Sequence, residues 1–481
     1  MKVKTSKLNS FQLQPEWAFV FIAAIFGIVL VFVNPPFQTN DEDRHFFHAY
    51  HIASGDILPT QNGTQIGGNV PLNLTYVVNY FQGLPFQTKD DAQLENLRAT
   101  MSQRKKEAGK ITLNERNSEY RHDHSYSTNP IPYLPYSIGI IFGKIINSKP
   151  LWLGWFARLF GLICYIIIIF YAIKYTPVFK YVLLLYALTP MILYQSASVT
   201  YDMLSNGISF LYLAFCLYYA FVPDAKITIR SLAFITVLAI LHYYSKSGYP
   251  LILFVFFLIP PGKFGNMKRA LTIYASMALI FVLIFFYLDS FTWGALVAAQ
   301  HYDLGNVPQL RKEYDFGGTS EKISYIFSHP FEYITLLTNN FLFFRQEWVS
   351  GTIGRFGYSY LLMPKIIIIL HGIVLITVAL LDSSANIKLN LYQKLLAFFI
   401  AIGTVYLIMG GLLLYSPKGA EMVFGLQGRY FAPAVPILLL VFYNNAFPQS
   451  ILKRFSGLIA PAYSALVLLY TVIFINNFFY K

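Results

Sequence analysis

The chain has 481 residues, of which 56% are hydrophobic and 12% charged, against about 25% charged in a soluble domain. That excludes a soluble enzyme, and the prior of roughly 150 residues per domain fails because long apolar runs recur from end to end with no soluble block between them. Lys and Arg number 36 and Asp and Glu 23, a net charge of +13, and in such a chain the excess reports which side of a membrane the loops occupy rather than a nucleic-acid partner.

The first apolar run, Trp17 to Val33, follows Lys2, Lys4 and Lys7. It is too long for a signal-peptide core and ends in Asn34-Pro35-Pro36 without a small-residue cleavage pattern, so it reads as a retained span. Ten further runs have the character of spans: Leu151–Tyr171, Tyr181–Val199, Leu204–Val222, Ser231–Tyr244, Tyr249–Pro260, Ala270–Leu288, Leu362–Leu381, Leu395–Leu414, Phe431–Phe442 and Leu458–Ile475. The fold class is thus all-α and polytopic, with about 11 spans. Cys164 and Cys216 each sit inside an apolar run, which leaves no disulfide framework or cysteine metal site.

Lys and Arg in short loops stay inside, whereas long loops cross regardless of charge. With the N-terminus inside, the inner segments collect Lys2, Lys4, Lys7, Lys174, Lys180, Lys226, Arg230, Lys263, Lys268, Arg269, Lys388, Lys394, Lys453 and Arg454, while the short outer loops hold only Lys246, Lys418 and Arg429. An odd number of spans puts Lys481 outside. The chain divides into a tail and first span (1–33), a long outer loop (34–150), spans two to seven (151–288), a second long outer loop (289–361) and spans eight to eleven (362–481). Loops of that length are usually functional or disordered, so the chemistry is expected there.

Within the first loop, Ile131–Ile146 is apolar but interrupted, led by Pro130, Pro132 and Pro135 and carrying Lys144. It reads as a helix lying in the outer interface, because counting it as a span would reverse every later loop. Arg104, Lys105 and Lys106 read as a solvated helix face, with anionic headgroups or glycans as the functional alternative. Asn62-Gly63-Thr64 and Asn73-Leu74-Thr75 match the glycosylation acceptor pattern, which so short a motif meets by chance.

The ionisable residues gather at outer helix ends. Asp41-Glu42-Asp43-Arg44-His45 follows the first span directly, where a carboxylate could act as a general base; a helix N-terminus with Asn40 or Asp41 as cap accounts for the same residues. Asp202 joins spans three and four, Lys246 joins spans five and six, Arg429 precedes span ten, and Arg158 lies a turn or two inside span two. Charges at membrane depth usually face a cavity or partner, although Lys246 and Arg158 could also snorkel to headgroups. His45, His48 and His51 share a helical spacing, with His122-Asp123-His124 later in the loop, but nothing in that pattern fixes a closed ligand set.

This order of features resembles the GT-C superfamily of membrane glycosyltransferases, which use polyprenyl-phosphate-linked sugars. Asp41-Glu42-Asp43-Arg44-His45-Phe46 is similar to the Asp-Glu-x-Arg-Tyr of aminoarabinose transferases and the Asp-Glu-x-His-Phe of protein O-mannosyltransferases. The chain also resembles a bacterial family of predicted membrane proteins marked by Pro-Asp-Glu with a following His-Phe, Ala-Ser-x-x-x-Asp, Lys-x-x-Tyr-Pro and Gln-Gly-Arg-Tyr. Here these stand as Asn40-Asp41-Glu42 with His45-Phe46, Ala197-Ser198-Val199-Thr200-Tyr201-Asp202, Lys246-Ser247-Gly248-Tyr249-Pro250 and Gln427-Gly428-Arg429-Tyr430. Two departures are Asn40 in place of the proline and Gly357-Tyr358-Ser359 where that family tends to have Gly-Trp-Leu-Asp.

The resemblance implies a GT-C-like bundle in the bacterial cytoplasmic membrane, acting on its outer side. It implies a polyprenyl-phosphate sugar donor and a surface-glycan acceptor such as O-antigen or teichoic acid, with the bilayer as the other partner and no nucleic acid. Asp41 is then the catalytic base with Glu42 beside it, Arg44, His45 and Asp202 bind substrate, and Lys246, Arg429 and Arg158 are phosphate candidates. No cofactor is required, and a divalent metal is allowed. A glycan polymerase or ligase using a lipid-linked oligosaccharide is the alternative enzyme. A transporter or flippase would need ionisable residues at the bilayer midplane.

Overall fold

The computed structural model describes the chain except for residues 1–12, 63–64, 82–90, 292–318, 385, 415, 418 and 447–448. Gly63 and Thr64 of the first acceptor pattern, Lys2, Lys4, Lys7 and Lys418 fall outside the described residues. Helix α1 (Pro15–Val33) starts on a proline, whose missing N–H costs nothing in a first turn. It stops at Asn34 because Pro35 and Pro36 cannot continue it. Its 19 residues match about 30 Å of hydrocarbon at 1.5 Å per residue. Phe19, Ala23 and Leu30 are buried, whereas Trp17, Phe21, Ile25 and Phe32 are exposed as a lipid-facing side.

After α1 comes α2 (Glu42–Ala53), then a three-stranded antiparallel sheet of β1 (Thr60–Asn62), β2 (Gln65–Pro71) and β3 (Ser118–His122), with α3 (Leu72–Phe81) and α4 (Asp91–Ala108) between the last two strands. Gly68 lets β2 approach α2 closely, because a Cβ there would sit 2.4 Å from the His51 ring. The basic stretch of α4 is used at helix ends: Arg98 donates to the Phe478 carbonyl, Arg104 to Tyr80 and Lys105 to Phe32. Cations there complement the carbonyls that a helix C-terminus leaves unpaired. The same contacts put the ends of α1 and of the final helix, Gln449–Tyr480, on one side.

Helix α5 (Leu134–Ile145) has 12 residues, about 18 Å at 1.5 Å per residue and too short to span. Ile138, Ile141, Phe142 and Ile145 are exposed on one face while Tyr136, Ser137 and Ile140 are buried on the other. It packs on α6 (Pro150–Tyr175), where a Cβ at Gly139 would meet the Phe156 carbonyl at 2.4 Å. After α6 follow α7 (Lys180–Ala187), α8 (Pro190–Ser196), α9 (Asp202–Phe221), α10 (Ile229–Ser245) and α11 (Met267–Phe291).

Among the described residues, six helices are long and apolar enough to cross a membrane: α1, α6, α9, α11, Leu391–Leu414 and the last part of Gln449–Tyr480. The other five expected spans fall on shorter or interrupted helices. Pro190 splits the third into α7 and α8; the fifth is α10 and the eighth Lys365–Leu381, each of 17 residues; the sixth is a 3-10 helix, Pro250–Leu258; and the tenth runs through short turns from Gly428 to Phe442. Length and apolarity therefore carry six spans rather than eleven.

Broken helices expose carbonyls that hydrocarbon cannot satisfy, and buried tyrosines take them up. The Tyr165 hydroxyl donates to the Ala187 carbonyl at 2.8 Å, Tyr212 to Leu253 at 2.7 Å and Tyr186 to Ala432 at 3.1 Å. Part of the tyrosine content that reads as an interfacial belt is thus internal support for the interrupted spans.

Candidate functional site

The interrupted spans end together. Asp202 opens α9, Lys246 closes α10 just before the 3-10 helix, and Arg429 is the second residue of the turn Gly428–Ala434. The Lys246 ammonium lies 2.8 Å from Asp202 Oδ1, and Arg429 Nε lies 3.3 Å from Asp202 Oδ2. Asp202 is 5% and Arg429 7% exposed. One buried carboxylate thus bridges two cations. Lys246 is also caged by aromatic faces, 4.1 Å from the Tyr430 ring centroid and 4.5 Å from that of Tyr201, which hold an ammonium through their quadrupoles.

Asp41 faces this triad, with Oδ2 3.9 Å from Arg429 Nη2. Its backbone is left-handed, φ 59° and ψ 12°, and its side chain caps nothing although it occupies the cap position of α2. A non-glycine residue held there is uncommon and tends to sit where function demands it. The Asp41 side chain is 46% exposed, so its carboxylate is open to a substrate. Next to it, the Asn40 amide donates to Gln427 Oε1 at 2.8 Å and Ser359 Oγ at 3.5 Å, tying the first motif to the last and to the second long loop.

The neighbouring acids have other fates, because successive residues of a helix point about 100° apart. Glu42 is fully buried, and its two oxygens accept from Arg158 Nε and Nη2, each at 2.6 Å. Arg158 gives its remaining donors to the carbonyls of Val31, Asn34 and Pro35. All five guanidinium donors are used within the protein. This corrects the expectation of a phosphate-binding Arg158, which has no donor left, and Glu42 is likewise committed as its partner. Glu42 also accepts the Val199 N–H at 3.0 Å, and Thr39 Oγ1 meets Ser198 Oγ at 2.8 Å. The pair therefore welds the first motif to the Ala197–Asp202 motif and fixes where Asp41 points.

Asp43 turns toward Arg121, 3.5 Å away, and accepts from the Tyr358 hydroxyl at 3.3 Å. Burial raises its pKa, and Arg121 offsets part of that rise. Arg44 is 60% exposed and pairs with Asp123 at 3.6 Å, so it faces the turn after β3 rather than the Asp41 cluster where sequence reasoning put it. His45 is buried, with Nδ1 2.9 Å from the Tyr133 hydroxyl and its ring edge-on to Tyr201 at 4.7 Å. Burial holds His45 and His48 near pKa 3; both are neutral at pH 7. His45 thus supports the Tyr201 wall of the lysine cage. Among the described residues no group of three or more His, Cys, Asp and Glu is gathered as a metal site.

Besides a cleft of about 330 Å³ between Tyr133, Tyr243 and Lys246, two larger or more polar cavities adjoin the triad among the described residues. A groove of about 1010 Å³ runs from Lys246, Tyr201 and Tyr430 along apolar side chains including Leu251, Phe285, Leu337 and Leu407. A second cavity of about 320 Å³ lies on the Arg429 side, walled by Glu347, Trp348, Arg355, Ser359, Phe424 and Gln427. Sequence reasoning missed this second wall because Arg345–Ile353 is a nine-residue helix with no apolar periodicity. A signal did exist in the glycine of Gln427-Gly428-Arg429. A Cβ at Gly428 would sit 2.0 Å from the Trp348 carbonyl, so only glycine lets this helix seat against the Arg429 turn.

None of the curated proteins compared matches the chain. Among solved structures, the crystal structure of ArnT from Cupriavidus metallidurans bound to undecaprenyl phosphate is similar over 96% of this chain and 73% of that one, with 13% identity and a TM-score of 0.40. That likeness is too distant to carry a residue's role. The family described as Predicted membrane protein (DUF2142) matches residues 24–438, a stretch that includes the second half of α1, all of the charged cluster and both cavity walls, and the chain belongs to that family.

Proposed function

We propose that the protein is a glycosyltransferase of the GT-C kind, moving one sugar from a polyprenyl-phosphate carrier to a surface glycan on the outer side of a bacterial cytoplasmic membrane. The observation that supports it best is the open Asp41 carboxylate 3.9 Å from Arg429, in a cluster whose other cation, Lys246, lines an apolar groove of about 1010 Å³. A prenyl tail suits that groove, and its phosphate would then meet Lys246 as a point charge and Arg429 as a two-pronged donor. Asp202 holds the two cations in place. The acceptor hydroxyl attacks the anomeric carbon, the bond from that carbon to the phosphate oxygen breaks, and Asp41 takes the hydroxyl proton. Charges balance in this scheme. Asp41, Asp202, Lys246 and Arg429 sum to zero before transfer and to +1 once Asp41 is protonated, while the released phosphate gains up to one negative charge.

The path through the membrane belongs to the same proposal: the N-terminus inside and both long loops outside, supported by the cation count in the short loops and by the shared side of α1 and the last helix. Reporter fusions at Lys226 and Asn114 should read inside and outside respectively; the opposite result at either position removes the outer-face mechanism.

Carrier binding to the purified protein tests the phosphate assignment. Arg429→Lys should weaken it, Arg429→Ala more so, and Lys246→Ala should lose roughly tenfold or more, each with the protein still inserted. A charged hydrogen bond contributes about 1.5 to 3 kcal/mol, a factor of ten or more at 1.4 kcal/mol per decade. Unchanged affinity in both alanine variants takes Lys246 and Arg429 out of the site.

A further inference from the structure

The cavity on the far side of Arg429 is built for a different ligand from the groove. Its wall carries two guanidiniums, Arg355 and Arg429, against one carboxylate, Glu347. Arg355 is poorly matched by the protein itself: its contact with Glu347 is 4.0 Å, at the limit of an ion pair, and its buried Nε has no hydrogen-bond partner. The buried indole N–H of Trp348 and Nη1 of Arg429 also lack partners. Buried donors without acceptors are rare and costly in a finished fold. All three belong to side chains that line one cavity, and the Arg355 side chain, 27% exposed, is open to an acceptor from outside.

The remaining wall is that of a sugar site. Glu347, 56% exposed at its side chain, can accept hydroxyl hydrogens, Ser359 and Gln427 offer neutral polar groups, and Phe424, 53% exposed, gives a flat apolar face. At about 320 Å³ the cavity sits at the small end of the range for ligand pockets, about 300–1,000 Å³, which suits a terminal sugar rather than an extended chain. It also adjoins the reacting position. Ser359 and Gln427 are the two groups held by Asn40, the residue before Asp41, and Arg429 is both a wall of the cavity and the cation nearest Asp41. Ser359, like Asp41, has a left-handed backbone, φ 72°. The two residues in that conformation are linked through Asn40.

We propose that this cavity is the acceptor subsite, and that it takes the end of an anionic glycan, a sugar whose carboxylate or phosphate is gripped by the Arg355 guanidinium. The groove and the cavity then present donor and acceptor from opposite sides of the Lys246–Asp202–Arg429 triad, with Asp41 at the junction. The proposal rests on the transferase reading for its role but not for its chemistry, which is binding.

The test is titration of the full-length protein in detergent with methyl glucuronide, glucose 6-phosphate and methyl glucoside, followed by ligand-observed NMR. At least one anionic sugar should bind about tenfold more tightly than the neutral glucoside, and which of the two does so tells uronate from phosphate. Arg355→Gln should bring that sugar down to the level of the glucoside. Arg355→Lys should keep part of the preference, and Phe424→Ala should weaken all three sugars alike. Equal binding of neutral and anionic sugars, no binding of any, or an undiminished preference in Arg355→Gln with normal thermal unfolding overturns the proposal. Binding of a polyprenyl phosphate to the same samples separates the two readings. If it is absent while the Arg355-dependent preference persists, the transferase reading fails and the anionic-sugar site stands.

Discussion

Asp41→Asn should slow sugar transfer by about a hundredfold or more, the usual contribution of a general base and about 2.7 kcal/mol of barrier, while leaving insertion, carrier binding and thermal unfolding close to wild type. Asparagine tolerates the left-handed backbone of position 41 as well as aspartate does, and the side chain makes no capping hydrogen bond that could be lost. The substitution therefore removes the proton acceptor and one charge and little else. Transfer rates measured with purified protein and saturating donor decide the matter: retention of more than about a tenth of the wild-type rate, under 1.4 kcal/mol of barrier, means that Asp41 is not the base.

The second large effect is on folding. Glu42 and Arg158 are 0% and 2% exposed, and removing one partner of a buried pair leaves an uncompensated charge that costs about 3–5 kcal/mol. Arg158→Met should therefore lower the unfolding temperature and the yield of inserted protein severely, because the carboxylate is left without its partner. Glu42→Gln strands the guanidinium and should also destabilise, less so because three backbone carbonyls still hold it. The double variant should recover part of the loss, since replacing both charges removes the mismatch. Single variants with wild-type unfolding temperatures would show that the pair is not what fixes the start of α2.

Much of this was legible in the sequence. The long apolar runs needed only composition and length, and the four short motifs were recognisable at helix ends. The structure brings Asp41, Asp202, Lys246 and Arg429 to one place. What could not be read was which acid of Asp41-Glu42-Asp43 stays open, since that depends on the rotation of a helix whose first residue is fixed by Arg158, 116 positions away. The short spans were legible as apolar but not as broken. A nine-residue 3-10 helix at Pro250–Leu258 rises only about 18 Å at 2.0 Å per residue, and its carbonyls depend on Tyr212 and Gln393 from distant helices. The Arg355 cavity left only the glycine of Gln427-Gly428-Arg429 as a trace, because its wall joins a polar helix, a two-residue strand and the loop before Arg429.

The central claim, single-sugar transfer at the Asp41 site, is tested most directly by mass spectrometry of the surface glycans of cells carrying the wild-type chain, the Asp41→Asn chain or no chain. A mass increment of one sugar should appear with the wild type and be missing from the other two. Glycans that are identical in all three, or that differ by a whole oligosaccharide repeat, would contradict it.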